Sequence, residues 1–187
     1  AYGTNPFVES PYIGYFIQKN TTPDAPILIA CSEPQIGFYA QRPSVSGQIF
    51  TYTIVDNGKY MTELQDEFIR EVEEGQPQMV VYTFMGTSWL NRDPTGRIFK
   101  FVEQYTQTYC NLVGVIECVP QRLSANAPIQ YPVAYKWRAE AQPYMQQRMA
   151  QWQQQNQALQ QQGKAPLPPP NLITIWERKP AAALPAQ

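Results

Sequence analysis

Met79-Val80-Val81-Tyr82-Thr83-Phe84-Met85 is a near-continuous apolar run of strand length with no charge in it. A strand with one wet face alternates polar and apolar residues, whereas one covered on both faces does not. The run therefore predicts a central strand at 79–85, and the chain on either side must supply its neighbours and its cover.

On the C-terminal side a loop at 86–93 ends in Asp93-Pro94, a pair that favours a helix start. Ile98, Val102, Tyr105 and Tyr109 keep helical spacing after it. An alternating strand through Phe99, Phe101 and Tyr105 competes, helped by the threonines, but the helical spacing is the better fit. Residues 112–119 predict a second buried strand. On the N-terminal side Thr62 and Gln65 form a capping-box pair, Gly75 is placed for a left-handed stop, and Leu64, Phe68 and Val72 make one apolar stripe. Before that helix, 48–55 is rich in β-branched and aromatic residues and runs into Asp56-Asn57-Gly58, a hairpin turn signal, with 59–61 as the return strand. Residues 27–31 and 36–40 are also strand-like. Short connections between these elements predict an α+β fold: a single mixed-sheet domain with two helices packed on it.

The two ends differ from this middle. Residues 1–26 contain Pro6, Pro11, Pro23 and Pro26 among aromatics, which biases the backbone to extended conformations and predicts an arm, with Ile13, Tyr15 and Ile17 as one face of a short strand. The core domain is expected at 27–135, with a loop at 120–132. A glutamine-rich amphipathic helix follows at 136–163, bent at Pro143 and ended by Gly163. Met145, Met149, Trp152 and Leu159 form its narrow stripe. Residues 164–187 form a proline-rich tail with a strand-like segment at 172–176, held away from the helix as by a semi-rigid spacer.

Composition limits the chemistry. There is no histidine among the 187 residues, so Ser-His-Asp, Cys-His and imidazole-base machinery are absent. Cys31, Cys110 and Cys118 form no C-x-x-C pair, which predicts buried reduced thiols rather than a zinc site or a disulfide framework. The net charge of −1 gives no field toward nucleic acid or an anionic membrane, and no apolar run reaches the roughly 20 residues of a membrane span. Charged residues make up only 16% of the chain, while 12 Tyr and 4 Trp are present. Such a surface loses little on association, and protein interfaces are enriched in these aromatics.

Three candidate sites emerge. Thr87, Ser88, Arg92, Thr95, Gly96 and Arg97 surround the expected helix start, where free amides and guanidinium groups could hold an anion; the glycine spacing of a phosphate loop is missing. Glu67, Glu71 and Glu74 line one helical face, which an ordinary solvated surface explains. Tyr135, Lys136, Trp137 and Arg138 interleave rings and bases in a manner suited to single-stranded nucleic acid.

The favoured expectation is a non-catalytic structural or adaptor subunit of a larger assembly, a virion component being one analogy, with no cofactor, no metal and no membrane partner. Its partners are other protein subunits in a homo- or hetero-oligomer. The expected contact residues are Tyr2, Phe7, Tyr12 and Phe16 of the arm, the Met145, Met149, Trp152 and Leu159 stripe, and Leu172, Ile173 and Trp176 of the tail. The rivals are an anion-binding module at 87–97, a single-strand nucleic-acid binder, and an enzyme that uses acidic residues such as Glu67, Glu71 and Glu74 with a divalent cation. A reducing cytoplasm or a virion is the expected setting, and export stays open because the chain begins at Ala1 without a visible leader.

Overall fold

The computed structural model describes residues 6–118 and 134–180. Among them lie five strands, β1 (Ile27–Ala30), β2 (Met79–Thr83), β3 (Cys110–Glu117), β4 (Ala134–Trp137) and β5 (Leu172–Arg178), and five α-helices, α1 (Ser10–Asn20), α2 (Pro34–Ala40), α3 (Met61–Gly75), α4 (Arg97–Tyr109) and α5 (Ala141–Gln161). The strands form one sheet in the order β1-β2-β5-β3-β4. β1 and β2 are parallel, and the other three pairings are antiparallel. The class is α+β with a mixed sheet, as the sequence indicates.

Every residue of β2 is buried, because helices cover both faces of the sheet. Val80 and Tyr82 point one way, with Leu28 and Ala30, into Phe68 and Val72 of α3 and Ile98 and Val102 of α4. Met79 and Val81 point the other way, with Ile173 and Ile175, into Ile13 and Ile17 of α1 and Ile36 of α2. On the α3/α4 face α5 lies over β3 and β5, with Tyr144, Met145 and Met149 packed on Val115 and Leu172. Glu117 anchors that helix: Arg148 Nε donates to its carboxylate at 2.8 Å, and Arg148 Nη2 and the Tyr144 hydroxyl donate as well.

Four local expectations are corrected. The N-terminal segment is not an extended arm: from Ser10 it is helical, Pro11 sits in the first turn where it costs no hydrogen bond, and Ile13 and Ile17, four apart, are both 0% exposed. Residues 36–40 are likewise helical, with Pro34 opening α2 and Gln41 closing it at φ 51°. The 48–61 hairpin is replaced by a 3-10 turn at Thr51–Ile54 with no strand partner. The Asp56-Asn57-Gly58 turn itself forms, with Asn57 at φ 61° and the Gly58 N–H donating to Asp56 at 2.7 Å. Gly75 ends α3, but the left-handed residue is Gln76. Gly75 is required for a different reason, since a Cβ there would stand 2.9 Å from the Val45 side chain.

The largest correction concerns the tail. Residues 164–170 do not hold a strand away from the body. They return along α5, where Trp152 Nε1 donates to Pro168 O at 2.8 Å and Asn156 Oδ1 accepts from Leu167 N at 2.7 Å, and they deliver β5 into the centre of the sheet between β2 and β3. Leu172, Ile173 and Ile175 are 0% exposed there. The glutamine helix is shorter than the expected 136–163, since Ala134–Trp137 joins the sheet as β4 and Arg138–Glu140 is a 3-10 turn; it starts at Ala141, so Pro143 lies in its first turn, and Gly163 follows its end at φ 66°. The expected loop at 120–132 lies outside the described residues.

Candidate functional site

The 87–97 loop does not assemble an anion site, because the protein fills that position with its own anion. Asp93, 4% exposed, accepts from the Thr95 amide at 2.8 Å, from the Thr95 hydroxyl and from Gln65 Nε2 at 3.1 Å. Burial alone would raise its pKa, but these bonds hold the carboxyl below its ordinary value. Helix α4 starts only at Arg97, with Gly96 at its N-cap. Arg97 is paired with Asp66 at 2.6 Å, and the Arg92 amide donates to Val55 O. Ser88 turns away from Thr87 and the arginines: it is 0% exposed and its hydroxyl donates to Glu33.

That Ser88–Glu33 contact belongs to a polar cluster the sequence did not reveal. It sits where β1, β2 and β3, which run in one direction, reach their carboxyl ends. Glu9 is 3% exposed and Glu33 4% exposed. Burial, then the neighbouring Glu33 charge, push the Glu9 pKa up, while hydrogen bonds from the backbone and the Cys118 thiol oppose the rise. Gln35 Nε2 donates to Glu33 at 2.7 Å, and the Ser32 and Thr51 hydroxyls bond each other at 3.0 Å. Every buried polar side-chain atom among the described residues has a partner, so the cluster is a closed network that ties α1 and the β1 and β2 loops together.

The remaining candidates are occupied internally. Trp137 stacks on Phe16 with ring centroids 4.2 Å apart, and Tyr135 lies against Tyr12. Lys136 pairs with Glu140, and Arg138 with Glu177 and Asn20. Each ring and base of this segment therefore has a partner within the protein. Glu71 accepts from Ser46 and from the Gly47 amide, Glu74 pairs with Arg70, and Glu67 is exposed. No group of metal-ligating side chains is present among the described residues. All three cysteines are free thiols. Burial pushes Cys110 up to about 11 and raises Cys31 and Cys118 as well, which disfavours the nucleophilic thiolate.

The expected contact residues divide in two. Leu172 and Ile173 are core, and Met145, Met149, Trp152, Leu159, Trp176 and Phe16 are half-buried, the methionines against the sheet, Trp152 against the 164–170 strap and Phe16 against the Trp137 ring. Phe7 and Tyr12 remain on the surface at 50% and 58% exposed, while Tyr2 lies outside the described residues. The exposed aromatics beside them were missed. Tyr15 is 61%, Phe38 76% and Tyr39 42% exposed. Helical spacing would have added Tyr15 to Tyr12, since the face opposite Ile13 and Ile17 carries Tyr12, Tyr15 and Lys19. The helices carrying this patch meet through glycine: a Cβ on Gly14 would lie 2.4 Å from Tyr39 Cβ. Gln18 Nε2 adds a hydrogen bond to Tyr39 O at 3.1 Å. The exposed charge on these helices is Lys19, above the Tyr15 ring, and their neighbouring acids Glu9 and Glu33 are buried.

Among the described residues no helix is long and apolar enough to cross a membrane. Comparison with protein-family models, with curated proteins and with solved structures finds no match to this chain.

Proposed function

We propose that this domain is a non-catalytic docking subunit that engages another protein through the outer face of α1 and α2. The observation that supports this reading is the set Tyr12, Tyr15, Phe38 and Tyr39, large rings left in water on two tightly joined helices where a solvated surface would carry charge. A partner that fits has an apolar centre to receive the rings and a carboxylate opposite Lys19, since the face offers a cation and no exposed acid. The tyrosine-rich make-up suits a protein interface. A surface lying on lipid would instead carry several lysines or arginines along its polar rim.

Benzoylphenylalanine in place of Phe38 cross-links whatever occupies the face. The adduct should be a protein, and that protein, purified, should form a defined complex by native mass spectrometry. Tyr15→Ser with Phe38→Ser should weaken the complex at least about 30-fold, as loss of about 2 kcal/mol at a central aromatic contact implies, with the unfolding midpoint unchanged. Adducts to lipid alone, or a complex indifferent to both substitutions, would overturn the assignment.

A further inference from the structure

A cavity of about 610 Å³ opens between α4 and α5 over the sheet, a volume in the range of small-molecule sites. Tyr82, Phe84, Leu112 and Trp176 line it, with Glu103 of α4 and Gln142 of α5 at its edge. Tyr82 is 4% exposed, yet its hydroxyl makes no hydrogen bond to any described residue. It is not sealed in either, because no buried polar atom lacks a partner; the hydroxyl meets the open space of the cavity it lines. A phenol buried to this degree and left unpartnered toward a cavity is a group awaiting a ligand atom. Its proton stays in place, since burial, followed by the Glu103 charge, raises its pKa.

The charges around the cavity select the ligand. Lys179 Nζ already donates to Gln107 O at 3.0 Å and Thr108 O at 2.7 Å, capping the end of α4, so its ammonium is directed to the helix carbonyls. Glu103 has neither ion pair nor side-chain hydrogen bond among the described residues. The Trp176 indole N–H is used by Thr174 Oγ1 at 2.9 Å, which fixes the ring as part of the wall. What remains is aromatic surface, one unspent carboxylate, one free hydroxyl and the neutral amides of Gln107, Asn111 and Gln142, so Glu103 is the charge left to face a ligand.

We infer that the α4–α5 cavity binds a small organic amine, an ammonium carried on an apolar body, with the cation at Glu103 and the rings of Tyr82, Phe84 and Trp176 around it. Aromatic faces attract such cations in addition to the carboxylate. Tyr82 then acts as the specificity group, contacting a polar atom on the ligand body.

The test is a titration of the ¹⁵N-labelled full chain with phenethylamine, reading the Trp176 indole N–H, with phenylacetate and 2-phenylethanol as anionic and neutral probes of the same shape. The amine should bind, Glu103→Gln should weaken it about tenfold, and Tyr82→Phe, which keeps the ring and the fold, should weaken a hydroxylated amine such as 2-amino-1-phenylethanol more than phenethylamine. Saturation by the acid or the alcohol as readily as by the amine, indifference to Glu103→Gln, an equal effect of Tyr82→Phe on both amines, or no shift with the amine at about 10 mM would each overturn the assignment. None of these results depends on the α1–α2 face.

Discussion

Ile175→Ala separates two roles for β5, a part of the core or a segment reserved for a partner. Ile175 is 0% exposed and lies in register with Val81 on one side and Gly114 on the other. Truncating a buried isoleucine costs about 2–5 kcal/mol, depending on how well the site collapses. Collapse is poor here. Gly114 offers no side chain to move in, and Trp137 is already so close that a Cβ on Gly114 would stand 2.6 Å from its ring. The cost should therefore fall in the upper half of that range, about 3.5–4 kcal/mol. With a urea slope of about 2 kcal/mol/M the midpoint should drop by about 1.5–2 M. The thermal midpoint should fall by about 10 °C, at about 3 °C per kcal/mol for a chain of this size. Urea unfolding followed by far-UV circular dichroism measures the change. Met149→Ala, at a half-buried position on α5, serves as the control and should cost about 1 kcal/mol. A midpoint unmoved by Ile175→Ala would refute the central placement of β5.

Three further outcomes follow from the same contacts. Arg148→Ala strands Glu117, whose side chain is 8% exposed beside an arginine 28% exposed; it should cost about 2–3 kcal/mol at pH 7, below the full value for a buried pair because the arginine is partly wet. Burial opposes ionisation of Glu117, but Arg148 and Tyr144 outweigh it and lower its pKa. The pair's contribution is therefore complete above the unfolded carboxylate range and lost as pH falls through the lowered value, so urea midpoints against pH should show a shallower acid limb in Arg148→Ala. Glu9 is the opposite case: its folded pKa is raised, chiefly by burial, so its charge costs stability at neutral pH and protonation relieves the cost as pH falls. Glu9→Gln should raise the midpoint at pH 7, and the gain should vanish below the unfolded carboxylate value. Gly14→Ala drives a methyl into Tyr39 and should destabilise by about 1–3 kcal/mol, measured by thermal unfolding.

Legibility in the sequence follows the range of the interactions. β2 could be read because burial on both faces removes alternation from seven successive residues, and α4 because Ile98, Val102 and Tyr105 repeat on one face. Residues 10–20 misled because isoleucines at 13 and 17 satisfy an alternating and a helical pattern alike, and prolines tolerated in a first helical turn look the same as prolines in an arm. Residues 48–55 have strand-forming side chains, yet no neighbouring strand offers them a ladder, and propensity without a partner does not make a sheet. Leu172 to Trp176 were recognisable as a strand, but nothing local records which sheet receives it. The same holds for the sites. Asp93 stands two residues from Thr95 in sequence, yet its role as internal counter-ion depends on Gln65 of a different helix. The cavity beneath α5 joins Tyr82, Glu103 and Trp176 from three separate elements.

The position of β5 also orders the events of synthesis. β1 with β2 and β3 with β4 can each pair as soon as they leave the ribosome, but β2 and β3 share no rung, and the seam between them is closed by a strand about 90 residues further along than β2. Until residue 178 emerges, the growing protein holds two half-sheets whose inner edges, Val80 to Thr83 and Leu112 to Glu117, are bare and attractive to any other extended chain. Folding should then be slow for its size, and the proline strap, tied to α5 through Trp152 and Asn156, shortens the search of β5 for its seam once it emerges.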